Sequence, residues 1–191
     1  MQPIITIICH QNGINNNTFD LFINHISSYK RERVKKQRIK QNVDNMLIGE
    51  ILTRVAIKKA FGIDIAKQEF CYNEYGKPYL LNYPDVHFNI SHSGEYVVCA
   101  VSDMPVGIDI QKISEYNPAV AKRICTEQEL EQIENSFDKS SEFIKLWTQK
   151  EAVLKMYGTG IASADIKNCL NNKNVQSQKI EDYWLSIAEH H

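Results

Sequence analysis

Residues 147–155 read WTQKEAVLK, inside a run from 140 to 157 that contains no glycine or proline. A helix over this run collects its apolar side chains on one face: Phe143, Leu146, Trp147, Leu154 and Tyr157. Three charged residues interrupt the face, Lys150 near its middle and Glu151 and Lys155 on its edge. Since a charge among apolar side chains needs a partner, the stretch predicts a long helix that borders a partly buried cleft.

Glu151 and Lys155 are one helical turn apart, so a solvent-exposed pair that adds little stability is the alternative. A second stretch favours the cleft. Residues 88–111 read FNISHSGEYVVCAVSDMPVGIDIQ, with His92 between two serines and Asp109 inside an apolar strand.

Asp109 lies between two isoleucines, so strand alternation puts Asp109 and Gln111 on one face of the strand. A carboxylate in such a place can be a hydrogen-bonded structural acid. Paired in space with Glu151, it would form a two-carboxylate site suited to Mg²⁺. Lys77, Lys150 and Lys155, with a basic run over residues 30–40, supply the charges that a diphosphate requires.

Composition narrows the classes of function. The net charge of −1 is too small to attract the protein to nucleic acid or to an anionic membrane over a long range. The five cysteines are scattered, without zinc-site spacing, and are predicted to be core thiols in a reducing compartment. The first apolar run is too short for a signal peptide, and no apolar run is long enough to span a membrane. We therefore expect a cytoplasmic protein. His190 and His191 read as the remnant of a purification tag.

The first part of the chain predicts strands and two main helices. Thr18 is the expected N-cap of a helix over 19–26, and Gly62 the end of a core helix over 44–61. Gly76 and Pro78 mark a turn with Lys77 at its tip. The expected strands cover residues 4–9, 69–72, 88–91, 96–101 and 106–110.

The second part predicts helices first and strands last. Pro118 opens a short helix, and Thr126 with Glu129 forms a capping box for the next. Three strands are expected over 166–170, 175–180 and 183–188, with Asn171 and Asn172 in a turn. YVVCAVS at 96–102 resembles YWLSIAE at 183–189. The chain is therefore predicted to be α+β, with two pseudo-symmetric halves, 1–105 and 106–191, each a long helix packed on a small antiparallel sheet.

The basic run allows two interpretations, a solvated helical face or an anion site. The run holds Lys30, Arg31, Arg33, Lys35, Lys36, Arg38 and Lys40. Ser91 and His92 do not make a nucleophile and base pair, because neighbours on a strand point to opposite faces. No P-loop, GxGxxG or HExxH occurs.

These motifs together resemble a known family. GKPYL, FNISHSG, VGIDI, WTQKEAVLK and GTGI, in this order over residues 29–161, are similar to the 4′-phosphopantetheinyl transferases of the larger, Sfp type. The resemblance implies two pseudo-symmetric α+β halves with coenzyme A in the cleft between them. It implies transfer of phosphopantetheine to a serine of an apo acyl, peptidyl or aryl carrier protein with release of 3′,5′-ADP, the holo-acyl-carrier-protein synthase reaction.

The resemblance also implies roles for matching residues. Asp109 and Glu151, with Gln111, would hold Mg²⁺, or Mn²⁺ in its place, against the diphosphate. Lys155 would contact the diphosphate and could protonate the leaving phosphate, Lys150 would also bind coenzyme A, and Glu151 would take the proton of the carrier serine, directly or through a water on the metal. Coenzyme A would further meet Lys77 and Pro78 at the adenine, and Lys30, Arg33, Ser91 and His92 at the 3′-phosphate.

Gln111 departs from the family pattern, because many relatives carry an acid there. We therefore expect metal to bind with help from the coenzyme A phosphates and poorly to the protein alone. The alternative function is a non-catalytic protein that binds coenzyme A or a carrier on the same fold. A chain with both halves is expected to be a monomer, and no nucleic-acid or membrane partner is expected.

Overall fold

The structure is a computed structural model that describes residues 2–158, 166–171 and 173–190. The first half is built around one long helix. Its strands are β1 (Ile4–Cys9), β2 (Phe70–Tyr72), β3 (Pro78–Leu80), β4 (His87–Ser93) and β5 (Tyr96–Ser102). Its helices are α1 (Asn16–His25), α2 (Ser28–Lys36) and α3 (Lys40–Phe61).

The second half has a similar plan. Strand β6 (Val106–Lys112) comes first, followed by helices α4 (Pro118–Ile124), α5 (Glu127–Glu134) and α6 (Lys139–Tyr157). Strands β7 (Asn174–Ile180) and β8 (Tyr183–Glu189) close the half as a hairpin.

The two main sheets share one topology. In the first sheet the strand order is β1-β5-β4, and in the second it is β6-β8-β7. Each half therefore runs from a strand through a long helix to a hairpin whose last strand takes the centre of an antiparallel sheet. The α+β prediction is confirmed, and the two similar segments, YVVCAVS and YWLSIAE, are the two central strands.

The sheets pack face to face between the long helices. One face of β5 turns toward α3, with Val97 and Cys99 in the cluster that contains Ile57. The other face packs on the second sheet, in a cluster that contains Val98 and Ile108. Because side chains alternate along a strand, α6 covers the opposite face of the second sheet, where Asp109 lies.

A seam of side-chain hydrogen bonds joins the two halves along β4 and β6. The backbone N–H of Ile108 donates to Asn89 Oδ1 at 2.9 Å. The N–H of Ile110 donates to Ser91 Oγ at 3.3 Å, and that of Lys112 to Ser93 Oγ at 3.0 Å. Every second residue of β4 thus satisfies every second N–H of β6, which sets the register between the halves.

Helix ends follow the expected rules in most places. Gly62 and Gly158 end α3 and α6 in the left-handed conformation, with φ of 71° and 70°. The capping box of Thr126 and Glu129 is present, and Pro118 stands in the first turn of α4. The prediction for Thr18 is wrong, because Asn15 caps α1 and its side chain accepts from the N–H of Thr18.

Two further predictions are wrong. Residues 166–170 form turns and no strand, since the second sheet is completed by three strands without them. Cys9 is exposed, because alternate residues of edge strand β1 face outward, whereas Cys99 and Cys125 are buried as expected. Asn172, Gly160 and the rest of GTGI after Gly158 lie outside the described residues. No helix in the described ranges is long and apolar enough to cross a membrane.

Candidate active site

Helix α6 presents Glu151 and Lys155 to a cleft between the halves. Phe143, Leu146 and Leu154 are buried, which confirms the predicted apolar face in part, whereas Tyr157 is 45% exposed at the helix end. Glu151 and Lys155 are half-buried and line one cavity with Trp147. The helix ends at Gly158, which lines the neighbouring cavity.

Strand β6 presents Asp109 and Gln111 to the same cavity. Ile108 and Ile110 are fully buried on the opposite face, so the predicted alternation is confirmed. Asp109 is only 5% exposed, whereas Gln111 is half-buried. Two acids from distant parts of the chain, Asp109 and Glu151, therefore meet in one cavity, where Lys155 also lies.

The polar contacts in this cavity converge on one oxygen of Asp109. Ser91 Oγ donates to Asp109 Oδ1 at 2.7 Å, and Lys155 Nζ donates to the same oxygen at 2.5 Å. Lys155 Nζ also lies 3.0 Å from Ser91 Oγ. The alternative of a simple surface pair between Glu151 and Lys155 is wrong, because the Lys155 ammonium pairs with Asp109 across the cleft.

Two carboxylate oxygens in the cavity are buried with no hydrogen-bond partner in the described residues, Asp109 Oδ2 and Glu151 Oε1. Buried polar atoms in folded proteins are nearly always bonded, so these two oxygens are available to a water or a ligand. Burial raises the pKa of Glu151, Lys155 opposes this rise, and the charge of Asp109 adds to it. The effect of the Asp109 charge on the pKa of Glu151 agrees with the position of both residues in one cavity.

This donor set fits a hard divalent cation. Mg²⁺ takes oxygen ligands and keeps several waters, which a phosphate can replace. Asp109 Oδ2, Glu151 Oε1 and the side-chain oxygen of Gln111 are the available oxygens. Within the described residues there is no cluster of three or more His, Cys, Asp or Glu side chains, which agrees with an amide at position 111.

The cavity continues toward the β2–β3 hairpin. A first cavity of about 300 Å³ contains the acids, and a second of about 380 Å³ is lined by Gly76, Lys77, Pro78 and Gly158. Ile90, Glu151 and Lys155 line both, so they form one cleft between the halves. Its combined size suits a nucleotide-sized ligand.

Lys77 lies in this cleft, but its ammonium has protein partners. Lys77 Nζ donates to the backbone oxygens of Lys155 and Met156, each at 2.7 Å. Burial lowers the pKa of Lys77 to about 8. The side chain thus lines the cavity while its ammonium caps the C-terminal turn of α6.

His92 and Lys30 are two further residues that the resemblance assigns to coenzyme A. His92 lines the cavity with Ser91, and burial lowers its pKa, with the charges of Lys155 and Lys30 lowering it further. Burial also lowers the pKa of Lys30, Glu50 opposes this, and Arg33 adds to the lowering. Arg33 is exposed and sits over the Tyr29 ring, 5.7 Å from its centroid.

Comparison with known proteins shows the family of the chain. A family profile described as "4′-phosphopantetheinyl transferase superfamily" matches residues 105–190, and one described as "4′-phosphopantetheinyl transferase, N-terminal" matches residues 14–104. The chain belongs to the 4′-phosphopantetheinyl transferase superfamily.

Three bacterial transferases are among the similar proteins. A 4′-phosphopantetheinyl transferase of Bacillus subtilis is 40% identical over 139 residues, which is 72% of this chain and 62% of that protein. The 4′-phosphopantetheinyl transferase Sfp of Bacillus subtilis strain 168 is 35% identical over 143 residues, 74% of this chain and 64% of that protein. The gsp transferase of Aneurinibacillus migulanus is 36% identical over 152 residues, 78% of this chain and 63% of that protein. The chain thus spans less than two thirds of the length of these three relatives.

One residue assigned from the transferase motif does not face the cleft. Lys150 is fully buried, and its Nζ pairs with Glu129 Oε1 at 2.8 Å. It also donates to the backbone oxygens of Ile166 and Lys167. The prediction that Lys150 contacts coenzyme A is therefore wrong. Lys150 pairs with an internal acid, as a buried charge requires, and this pair joins α6 to α5.

Sequence reasoning on the transferase motifs also missed a residue of α3. Asn45 is buried, and its Nδ2 lies 3.3 Å from Gly94 O and 3.5 Å from His92 Nδ1. Its Oδ1 lies 2.5 Å from His10 Nε2. Asn45 thus contacts the ring that faces the cleft. The sequence does show a polar side chain, Asn45, within the predicted core helix. It does not show which residues that side chain contacts.

Proposed function

We propose that this chain transfers 4′-phosphopantetheine from coenzyme A to a serine of an apo acyl, peptidyl or aryl carrier protein and releases 3′,5′-ADP. The supporting observation is a cavity in which two buried carboxylate oxygens, from Asp109 and Glu151, have no hydrogen-bond partner among the described residues and lie beside the Lys155 ammonium. The family and the similarity to named transferases support the same reaction. The class of enzyme would be a holo-acyl-carrier-protein synthase.

In this proposal the acids hold Mg²⁺ against the coenzyme A diphosphate. Asp109 Oδ2 and Glu151 Oε1 would be ligands, with the Gln111 amide oxygen as a neutral third. When bound, the ion would offset the negative charge that builds up on the phosphate oxygens during transfer. Ser91 holds the other oxygen of Asp109, so the carboxylate is already oriented.

The chain's own residues can move the protons of the transfer. Glu151, whose pKa burial raises, is suited to accept the proton of the carrier serine. The serine oxygen forms a bond to the phosphorus that bears pantetheine, and the bridging P–O bond breaks. Its electron pair leaves on the 5′-phosphate of 3′,5′-ADP. Lys155 can contact that phosphate and donate a proton to it.

The rest of coenzyme A would occupy the two sides of the cleft. Gly76, Lys77 and Pro78 border the larger cavity and suit the adenine, which stacks on flat apolar surface. A neutral His92 N–H and the Lys30 ammonium suit the 3′-phosphate, with Arg33 at the rim. In this arrangement one protein molecule supplies both acids, so we propose an active monomer, with the halves meeting at residues 105 and 106.

The test is intact-mass spectrometry of an apo carrier incubated with the protein, coenzyme A and Mg²⁺. The expected result is a gain of one phosphopantetheine group. Glu151→Gln and Asp109→Asn should each lower the rate by about 100-fold or more while the circular dichroism spectrum is kept. Glu131→Gln, on an exposed position of α5, is the matched control and should leave the rate unchanged. Near wild-type rates in either cleft variant would refute the site assignment.

A second candidate, a protein that binds coenzyme A or a carrier without catalysis, is favoured by the amide at position 111. A neutral ligand weakens the site for a divalent cation relative to three acids. This candidate predicts coenzyme A binding in calorimetry and no mass gain with any apo carrier. Gln111→Glu separates the two functions, because it should strengthen Mn²⁺ binding in either case but increase transfer only in an enzyme.

A further inference from the structure

Glu50 is a fully buried carboxylate of α3 that the proposed reaction does not use. Only 1% of the residue is exposed. One partner is Arg54, a turn later, whose Nη2 lies 2.7 Å and Nε 3.2 Å from Glu50 Oε1. The other is Ser27, whose N–H donates to Oε1 at 2.5 Å and whose hydroxyl donates to Oε2 at 2.9 Å. The carboxylate therefore joins α3 to the loop before α2.

Ser27 connects the Glu50 carboxylate to helix α2. It is the N-cap of α2, and its Oγ accepts from the N–H of Lys30 at 3.3 Å. Tyr72 on β2 adds a second support, since its hydroxyl lies 3.2 Å from Ser27 Oγ and its ring stacks on Tyr29 with centroids 3.9 Å apart. The chain of contacts runs from Glu50 through Ser27 to the backbone of Lys30.

Among the described residues, helix α2 makes few apolar contacts, mainly through Val34 and Tyr29. Val34 is its one buried residue in the described structure, and the remainder of its sequence, SYKRERVKK, is mostly charged. Apolar packing usually fixes the position of a surface helix. Where it is this sparse, the polar contacts at the first turn set the direction in which Lys30 and Arg33 point.

We infer that Glu50 is a positioning residue for coenzyme A recognition, because through Ser27 it fixes the first turn of α2 and so sets the position of Lys30. This inference rests on the proposed function, in which Lys30 contacts the 3′-phosphate. Glu50 touches no ligand itself. Its effect should therefore appear in one property, the preference for coenzyme A over 3′-dephospho-coenzyme A, which lacks only that phosphate.

The experiment measures dissociation constants of coenzyme A and 3′-dephospho-coenzyme A by calorimetry in the presence of Mg²⁺. Ser27→Ala removes the hydroxyl link and leaves the Glu50–Arg54 pair intact. We expect the preference for coenzyme A to fall roughly fivefold or more, with the dephospho ligand changing less than twofold. Glu50→Gln should act in the same direction if it folds, and Ser27→Ala keeps the test valid if it does not.

Asn117→Ala is the matched control, because Asn117 caps α4, which carries no residue of the cleft. It should leave the preference unchanged. An equal loss for both ligands in Ser27→Ala, or no loss, would overturn the inference, as would a wild-type protein that does not distinguish the two ligands. The binding measurement does not depend on catalysis. A protein that prefers coenzyme A but modifies no carrier would therefore refute the proposed reaction, while the effect of Ser27→Ala on the preference could still be measured.

Discussion

Lys150 and Lys155 are five residues apart on α6, and their ammonium groups have different partners. Lys155 reaches Asp109 in the cleft, whereas Lys150 reaches Glu129 in the interior. The periodicity of the helix indicated that Lys150 would be buried and would need a partner. It did not indicate Glu129, because that residue lies in another helix whose packing depends on the complete fold.

Removal of the counter-ion should therefore be costly at Lys150. Glu129→Gln keeps an oxygen for the capping box but removes the negative charge that the buried ammonium contacts. We expect the free energy of unfolding to fall by about 3 kcal/mol, measured by urea denaturation. Glu127→Gln, exposed in the same first turn, should change it by less than about 0.5 kcal/mol. Equal effects of the two changes would mean that the internal pair contributes nothing specific.

Asp109 shows what local patterns do predict. Alternation along one strand was sufficient to put Asp109 and Gln111 on one face, and helical spacing was sufficient to put Glu151 beside Lys155. Neither pattern relates the strand to the helix. The meeting of Asp109 and Glu151 was predicted only through family resemblance, since it depends on how β6 packs against α6.

At the scale of elements, Gly107 sets the distance between β6 and α6. A Cβ at this position would lie 1.9 Å from the carbonyl oxygen of Ala152 and 2.5 Å from the nitrogen of Met156. Both are backbone atoms that cannot move alone. Only glycine allows this approach, which brings Asp109 next to the helix that carries Glu151.

Gly107→Ala should push the strand and the helix apart. We expect a loss of stability of about 3 kcal/mol or more, seen as a lower melting temperature, together with weaker coenzyme A binding. Gly49→Ala on α3 is the control for stability alone, because its Cβ would meet a side-chain methyl of Ile90 at 3.3 Å, which can shift. A variant of Gly107 as stable as wild type would contradict the close packing.

The β2–β3 hairpin holds the C-terminal turn of α6 from the other half. Lys77 Nζ bonds to the backbone oxygens of residues 155 and 156, and Asn73 Nδ2 donates to Gly158 O at 3.2 Å. The sequence placed Lys77 at the tip of a turn but not its target. Glycine and proline spacing determines a turn locally, whereas the contact with α6 crosses between the halves.

The buried ammonium of Lys77 should make this contact depend on pH. Its pKa of about 8 lies below the 10.5 of an unfolded lysine, so between these values the unfolded chain binds more protons. Relative to Lys77→Met, the wild type should therefore gain stability as the pH rises from 8 to 10, measured by urea denaturation. The difference between wild type and Asn73→Ala, where the side chain is neutral, should stay constant. A constant difference for Lys77→Met as well would contradict the burial of a charged amine.

At the scale of the molecule, each half has a cluster of its own against its long helix, and one further cluster joins the two sheets. Val98 and Ala100 from the first half pack in one cluster with Ile108 and Ile110 from the second. The seam of β4 side chains adds hydrogen bonds across the same boundary. The repeat of two central strands was visible in the sequence. The shared core was not, because each strand alone is compatible with a sheet buried against its own helix.

This shared core predicts that the halves unfold together. Val98→Ala lies in the first half, whereas both tryptophans, Trp147 and Trp184, lie in the second. We expect the variant to lose about 2 kcal/mol and to shift the denaturation midpoint equally by tryptophan fluorescence and by far-ultraviolet circular dichroism. Val120→Ala, on the partly exposed face of α4, should shift neither. If the fluorescence midpoint of Val98→Ala stayed at the wild-type value while the dichroism split into two steps, each half would be stable by itself. The cleft would then depend on the docking of two independent bodies and not on one continuous core.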